Sequence, residues 1–357
     1  MKARAGLRAR AEARLIDPIS DPQWLELLLD RPSLLFQSPA WMKAIARTYG
    51  FPIRAVALYE KGRIQAGLPF ALVEDELGPR VVALAFSDFC DPVGPRPAQV
   101  STLLRFLVKL YPQRQIKLRF VSAKAPPPGL GFALKKTARW HGLALEGTED
   151  ELFAGLSPRF RRSVLKARKQ DLSVRRLKKA ELKDFYCLHL KVRKDRYRLL
   201  AQPYNFFENV WDAFVKPRQG FFLGAFTPEG WLAAAHCLLF WRETLVYKFG
   251  ASDYTFTNKG ANHLLHWEGA RYGLKHGFTL FDLGLSDDDQ PGLIEYKRGL
   301  GATEKTIAFY ERPAPADPPE AQSFRAAIAE LTRFATGPEV PDHVTAKLGE
   351  ALYRYFA

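Results

Sequence analysis

The sequence predicts two consecutive α/β domains with mixed sheets and a short helical extension, and three observations predict it. The 357 residues suit two domains at roughly 100–200 residues each. In both halves helical patterns flank runs of strands, and in the second half three adjacent strands precede a strand–helix–strand order; that is a layered α/β sandwich rather than a doubly wound sheet. A Pro/Ala-rich stretch, Pro313 to Pro319, then separates two further helical patterns. The divisions that follow are a basic tail (1–14), a first domain (15–148), a second domain (149–312) holding the catalytic half, and a linker with C-terminal helices (313–357) expected to pack back on the first domain.

In the first domain, Asp21-Pro22 and Ser38-Pro39 each read as an N-cap followed by Pro in the first turn, ahead of Trp24/Leu27/Leu28 and Trp41/Ile45/Tyr49. Apolar runs predict strands at Ile53–Tyr59, Ile64–Val73 and Val81–Phe86, with Lys61-Gly62 as a hairpin turn. A helix over Gln99–Leu110 and a strand over Ile116–Val121 follow, and Ala125–Gly129 is a turn-rich break. In the second domain Ser157-Pro158 caps a helix with Phe160, Val164 and Ala167 on one stripe. Further elements are a strand at Leu172–Leu177, a helix at Lys179–Lys194, a helix from Pro203, strands at Gly220–Phe226, Trp231–Trp241 and Thr244–Ala251, a helix at Gly260–His276, and strands at Phe278–Leu283 and Thr306–Tyr310.

Composition narrows the class. Apolar residues make up 47% of the chain and aromatics 13%, which excludes wholesale disorder. Three scattered cysteines, Cys90, Cys187 and Cys237, are too few for a disulfide framework or a Cys-rich zinc site. No apolar run reaches the ~18 residues of a membrane span, and the basic start has no apolar core of a secretion signal. The expectation is a cytoplasmic protein.

The net charge of +15 is concentrated. Residues 157–200 hold sixteen Lys and Arg against Asp171, Glu181, Asp184 and Asp195; the tail holds five against Glu12; the remainder is near neutral. Such a block attracts phosphates, RNA or an anionic lipid surface, although a solvated helix face is the commoner meaning.

Two segments carry chemistry. The strand ending at Ala251 leads through a polar loop to a helix opening at Lys259-Gly260-Ala261-Asn262, where backbone N–H groups and a lysine suit an anion. Asp282-Leu283-Gly284 closes a strand, and an acidic loop leads to Tyr296-Lys297-Arg298-Gly299, in the place where α/β sheets put their chemistry. His263 and His266 have the wrong spacing for a metal helix and read as filler. His236 and Cys237 are strand neighbours facing opposite sides, which excludes a nucleophile–base pair. Phosphate-loop, dinucleotide-binding and Gly-x-Ser-x-Gly motifs are absent from the sequence.

The ordered set of segments resembles the FemAB-like branch of the GNAT acyltransferase superfamily. Its pieces are Phe36–Trp41 (FQSPAW), Phe86–Pro92 (FSDFCDP), the Arg-rich helix of Leu156–Lys169, the pair Phe206-Phe207, and Gly260–Gly277 with Phe281-Asp282-Leu283-Gly284 and Tyr296–Gly299 after it, spread over about 270 residues. The resemblance implies two tandem GNAT-like domains and transfer of an acyl or aminoacyl group to an amine without a covalent enzyme intermediate. It implies no tightly bound cofactor, with acyl-CoA or aminoacyl-tRNA as donor and a small or cell-envelope amine as acceptor. Lys297 inherits oxyanion stabilisation, Tyr296 positioning, and Asp282 a base or orienting role. Substrate binding falls to Lys259, Gly260, Asn262, Tyr247, Arg196, Tyr204, Ser87 and Asp88. The acyl-CoA loop frame, Thr257–Asn262, keeps one glycine, and the acceptor-phosphate element reads Gln202-Pro203-Tyr204-Asn205-Phe206-Phe207 without its arginine, with Arg196 and Arg198 nearby. Two alternatives stand beside this. One is an aminoacyl-tRNA-dependent peptidoglycan bridge ligase with tRNA on residues 157–200, where Phe160, Tyr186, Tyr197 and Tyr204 interleave the cations. The other is a catalytically inactive protein binding RNA or anionic lipid through the same face.

Overall fold

The computed structural model describes residues 12–94, 96–121, 125–314 and 320–357, with backbone alone for residues 254, 257 and 258. Most of the basic tail, the centre of the 313–319 linker and the Thr257 and Asn258 side chains therefore lie outside the described residues. The fold is mixed α/β, in two compact units.

The first unit contains β1 (Glu12–Ile16), α1 (Pro22–Asp30), α2 (Pro39–Tyr49), β2 (Ile53–Glu60), β3 (Arg63–Val73), β4 (Arg80–Val82), α3 (Pro97–Leu110) and β5 (Gln115–Phe120). Strands β1 to β4 pair antiparallel in sequence order, β5 adds parallel to β4, and residues 308–312 add antiparallel to β5. The capping reading holds: Asp21 accepts from the N–H of Gln23, and Ser38 from that of Trp41. Residues 12–14, read as tail, belong to β1 and pair with β2. Strand β4, expected to run on to Phe86, stops at Val82 because Leu84 and Phe86 take left-handed backbone angles (φ 49° and 59°), which no strand accommodates.

The second unit begins earlier than the expected residue 149. A strand that sequence patterning missed, β6 (Ala133–Ala144), has residues 137–144 in this unit, where they pair with a core strand. There follow α4 (Glu149–Ala154), α5 (Pro158–Arg168), β7 (Ser173–Arg176), α6 (Leu182–Lys191), α7 (Tyr204–Val210), β8 (Gly220–Phe226), β9 (Leu232–Trp241), β10 (Thr244–Ser252), α8 (Ala261–Lys275), β11 (Leu280–Asp287), α9 (Pro291–Gly299) and β12 (Thr303–Arg312), of which residues 303–307 belong to this unit. The strand order is β6-β11-β10-β9-β8-β7, with β10 and β11 parallel and the other pairs antiparallel. The predicted stripe of α5 is buried: Phe160, Val164 and Ala167 pack with Leu238, Leu265, Trp267 and Phe281 in one core.

The last helices, α10 (Ala321–Ala335) and α11 (Asp342–Leu352), belong to this second unit, which corrects the expectation that they return to the first. The buried ammonium of Lys194 donates to Asp342 at 2.8 Å, and Arg198 donates to the Thr336 carbonyl at 2.6 Å. Those bonds explain why two cations of the basic block are tied down.

Gly260 caps α8 in the left-handed region (φ 76°), and a Cβ there would strike the Ser163 carbonyl of α5. Its close approach therefore serves helix packing. Gly260→Ala is expected to destabilise the protein by about 2 kcal/mol or more, from the backbone strain and overpacking together. Denaturant unfolding measures this; an unchanged midpoint would mean that α5 yields to the added methyl group.

Candidate active site

The site starts from an irregularity in a strand. Between Asp282 and Gly284 the pairing of β11 with β6 slips, and Gly284 sits at φ 70°, a combination that glycine permits. Asp282 lies in mid-strand, not at the strand end read from sequence, because β11 continues to Asp287. Its buried Oδ1 accepts from the Trp140 indole N–H at 2.9 Å and from the Gly284 N–H at 2.8 Å. This carboxylate secures the bulge.

The bulge in turn holds a cation. Lys297 on α9 is 3% exposed, and its ammonium donates to the carbonyls of Leu285 at 2.9 Å and Gly284 at 3.2 Å. A buried ammonium needs such dipoles around it. The charge is felt nearby: burial first, and Lys297 second, push His141 down to about 4.

Lys297 borders a cavity of about 190 Å³ that Arg196, Tyr247, Asn262, His266 and Tyr296 also line. Each residue arrives by a local rule. A π-helical turn, Val192–Arg196, ends on Arg196 at the rim. A bulge in β10 follows Tyr247, and the tyrosine hydroxyl occupies the space that a side chain on Gly250 would fill. Asn262 and His266 are four apart on α8 and share a face. Tyr296 and Lys297 come from α9.

The cavity wall is a hydrogen-bonded network. His266 Nδ1 lies 3.0 Å from the Asn262 carbonyl and 3.0 Å from the Tyr296 hydroxyl. His236 Nε2 lies 2.7 Å from Asn262 Oδ1, and the two imidazole centroids are 4.3 Å apart. Burial holds His236 down at about 4. Burial also pushes His266 well below the usual range, with His236 adding to it. The hydroxyls of Tyr247 and Tyr296 are pushed up by burial, so both stay protonated donors.

A second cavity, of about 540 Å³, lies across Tyr296 and Gly292, which border both spaces. Its walls include Arg159, Phe160, Arg162 and His263. Burial, then the Arg159 charge, hold His263 down at about 4. The basic helix α5 thus brings two guanidinium groups to a space beside the first cavity.

Five predicted site residues therefore meet at one cavity: Arg196, Tyr247, Asn262, Tyr296 and Lys297. Others stand elsewhere. Ser87 is buried in the first unit, where its Oγ accepts from the Trp41 indole at 2.8 Å and its carbonyl from Arg119. Asp88 adjoins it in the same unit. Lys259 rests over the Phe256 ring, 5.0 Å from its centroid, and lines neither cavity. Tyr204 lines a different cavity with Tyr186, Glu208 and His343. Most cations of the basic block are exposed, and several of them also have partners within the chain: Arg161 donates to the Ala154 carbonyl, Arg175 pairs with Glu181, Arg176 lies over Phe221 and Arg193 donates to Leu200. Phe160 and Tyr186 are buried, so they offer no stacking platform for RNA bases.

Sequence reading missed His266 and His236. It tested the His263–His266 spacing for a metal, whereas the informative spacing was Asn262 to His266, one helical turn. Among the described residues no His, Cys, Asp and Glu cluster suits a metal ion, and no helix is long and apolar enough to cross a membrane.

Residues 158–298 match the family model described as acetyltransferase (GNAT) domain. Three solved structures share the fold. FemX aligns with a TM-score of 0.64 at 17% identity, over 83% of this chain and 96% of that one. The tandem GNAT protein of the clavulanic acid biosynthesis pathway aligns with a TM-score of 0.55 at 16% identity, over 87% and 100%. L-PGS from Bacillus licheniformis aligns with a TM-score of 0.51 at 12% identity, over 88% and 96%. No curated protein matches the sequence.

Proposed function

Residues 158–298 form a GNAT-type acyltransferase domain, and from that premise we propose that the chain transfers an acyl or aminoacyl group from a phosphate-bearing donor, acyl-CoA before aminoacyl-tRNA, to the amine of a small or cell-envelope precursor. The observation that carries the reading is the convergence of Lys297, Tyr296, Tyr247 and His266 on one small cavity beside a larger one rimmed by arginines.

The chemistry follows from the charges. Amine attack on an ester or thioester puts negative charge on the carbonyl oxygen. A fixed ammonium and neutral phenol donors in a water-poor cavity stabilise that charge more than they stabilise the neutral ground state. Arg159 and Arg162 suit the donor's phosphates, which are common to both donor classes.

A thermal-shift panel tests the donor class. At saturating ligand, an acyl-CoA is expected to raise the Tm, whereas deacylated tRNA, nucleotide-linked muropeptide alone and anionic vesicles leave it nearly unchanged. A shift with aminoacyl-tRNA and none with acyl-CoA would replace the donor with aminoacyl-tRNA. Shifts only with RNA or vesicles, and no transfer to any amine, would turn the reading into that of a binding protein.

A further inference from the structure

We propose that the small cavity holds a carboxylate, so that the amine acceptor is an amino acid or another amine carrying a carboxylate of its own; this rests on the acyl-transfer reading above. Two residues that line the cavity, Arg196 and Lys297, are cations, and among the described residues no Asp or Glu lines it. At neutral pH an alkylamine arrives as a cation. Without an anionic group it would meet two like charges and nothing to offset them. A carboxylate on the same molecule removes that conflict.

Three donors at the cavity have no hydrogen-bond partner among the described residues. The first is Asn262, through a chain of assignments. His236 Nδ1 is buried and unpartnered, so a proton there would be a stranded donor. The proton therefore stands on Nε2, which donates to Asn262 Oδ1 at 2.7 Å. That contact uses the amide oxygen and leaves Nδ2, with two N–H groups, for the cavity that this partly exposed residue lines. The second is the hydroxyl of Tyr247, also partly exposed and lining the same space. The third is the exposed Arg196 guanidinium, which rests against the Tyr197 ring. Its neighbours Arg193, Lys194 and Arg198 are each bonded within the chain, whereas Arg196 makes no ion pair among the described residues.

The layout orients such a molecule. Tyr296 and Gly292 border both cavities, while Arg196, Tyr247 and Asn262 border the small one alone. The amine then faces the donor's carbonyl at Tyr296, and the carboxylate lies toward Arg196, Tyr247 and Asn262. The first turn of α9, at Gly292 and Leu293, also borders this space, and the N-terminal end of a helix favours negative charge. The volume of about 190 Å³ is below the ~300–1,000 Å³ of pockets for drug-sized ligands, which suits an amino acid or the end of a peptide.

The test uses whichever acyl-CoA or aminoacyl-tRNA raises the Tm, with a panel of amino acids as acceptors. Each amino acid is paired with its methyl ester and with the amine left when its carboxylate is removed. At least one is expected to exceed both partners by roughly 10–100-fold in kcat/KM, the worth of a charged hydrogen bond. Arg196→Gln is expected to raise KM for that amino acid and to shrink its preference over the decarboxylated amine by a similar factor. Tyr247→Phe is expected to shrink the preference less, since a neutral donor is lost. A merely structural role would lower transfer to both partners alike and keep the preference. Equal transfer with and without the carboxylate, or a preference unchanged in Arg196→Gln, would overturn the subsite while leaving acyl transfer in place. Succinyl-CoA used in preference to acetyl-CoA, with acceptors not distinguished, would move the carboxylate to the donor and overturn the acceptor assignment. A preference for O-phosphoethanolamine over every amino acid would replace the carboxylate with a phosphate. Wild-type protein that transfers from no donor would remove the acyl-transfer reading and the subsite with it.

Discussion

Replacing Lys297 with methionine is expected to lower turnover by roughly 10²–10³-fold, with a smaller effect on donor binding. The side-chain volume is nearly kept, so the loss isolates the charge. In the ground state the acyl carbonyl is neutral and gains little from an ammonium. In the transition state its oxygen is anionic, and a cation fixed by the Gly284 and Leu285 carbonyls needs no rearrangement to meet it. The same substitution deprives those two carbonyls of a donor and is expected to cost about 1–3 kcal/mol of stability. Single-turnover rates per folded molecule separate the two effects. Unchanged turnover in Lys297→Met would remove the ammonium from the mechanism.

Mild acid is expected to unfold the protein, because it keeps several histidines buried and neutral. Burial holds His189 down at about 3 and His236 at about 4; each is at most 5% exposed. Their unfolded value is about 6.5. Between the two values the unfolded chain binds protons that the folded chain does not, so stability falls as pH falls. The loss begins near pH 6.5 and continues toward pH 4, before most carboxylates titrate. From pH 6.5 to pH 5 it amounts to on the order of 2 kcal/mol for each such histidine. Against a typical total of about 5–15 kcal/mol, two or three of these groups are decisive. His189 gives the cleanest test, since its ring packs among Phe185, Phe207 and Phe249 and bonds only Gln202 among the described residues. His189→Asn should flatten the slope of unfolding free energy against pH over this window. An unaltered slope would mean that the charge is accommodated in the fold.

How much of this was legible in the sequence depended on the range of the interactions. Caps are local, so Asp21, Ser38 and Ser157 were read correctly from their own neighbours. The α5 stripe obeyed the helical period and was buried as expected. Strand β6 escaped because its first half is exposed and polar, and pairing with neighbouring strands, β11 among them, makes it a strand. The partners of the basic block were hidden for a related reason: a formal charge is counted the same whether it faces water, a ring or a carbonyl.

The sequence by itself determined the two α/β units, the superfamily resemblance and the choice of Tyr296 and Lys297. Those rest on short-range pattern and on residue order, which are one-dimensional properties. Only the tertiary structure decided that Asp282 supports a bulge, that Gly260 makes room for α5, and that Asn262, His266 and Tyr296 share one hydrogen-bonded wall. Those facts arise where β11, α8 and α9 are brought together by burying their apolar faces. The protonation state of a histidine is set there too, by which atoms surround it and how little water remains.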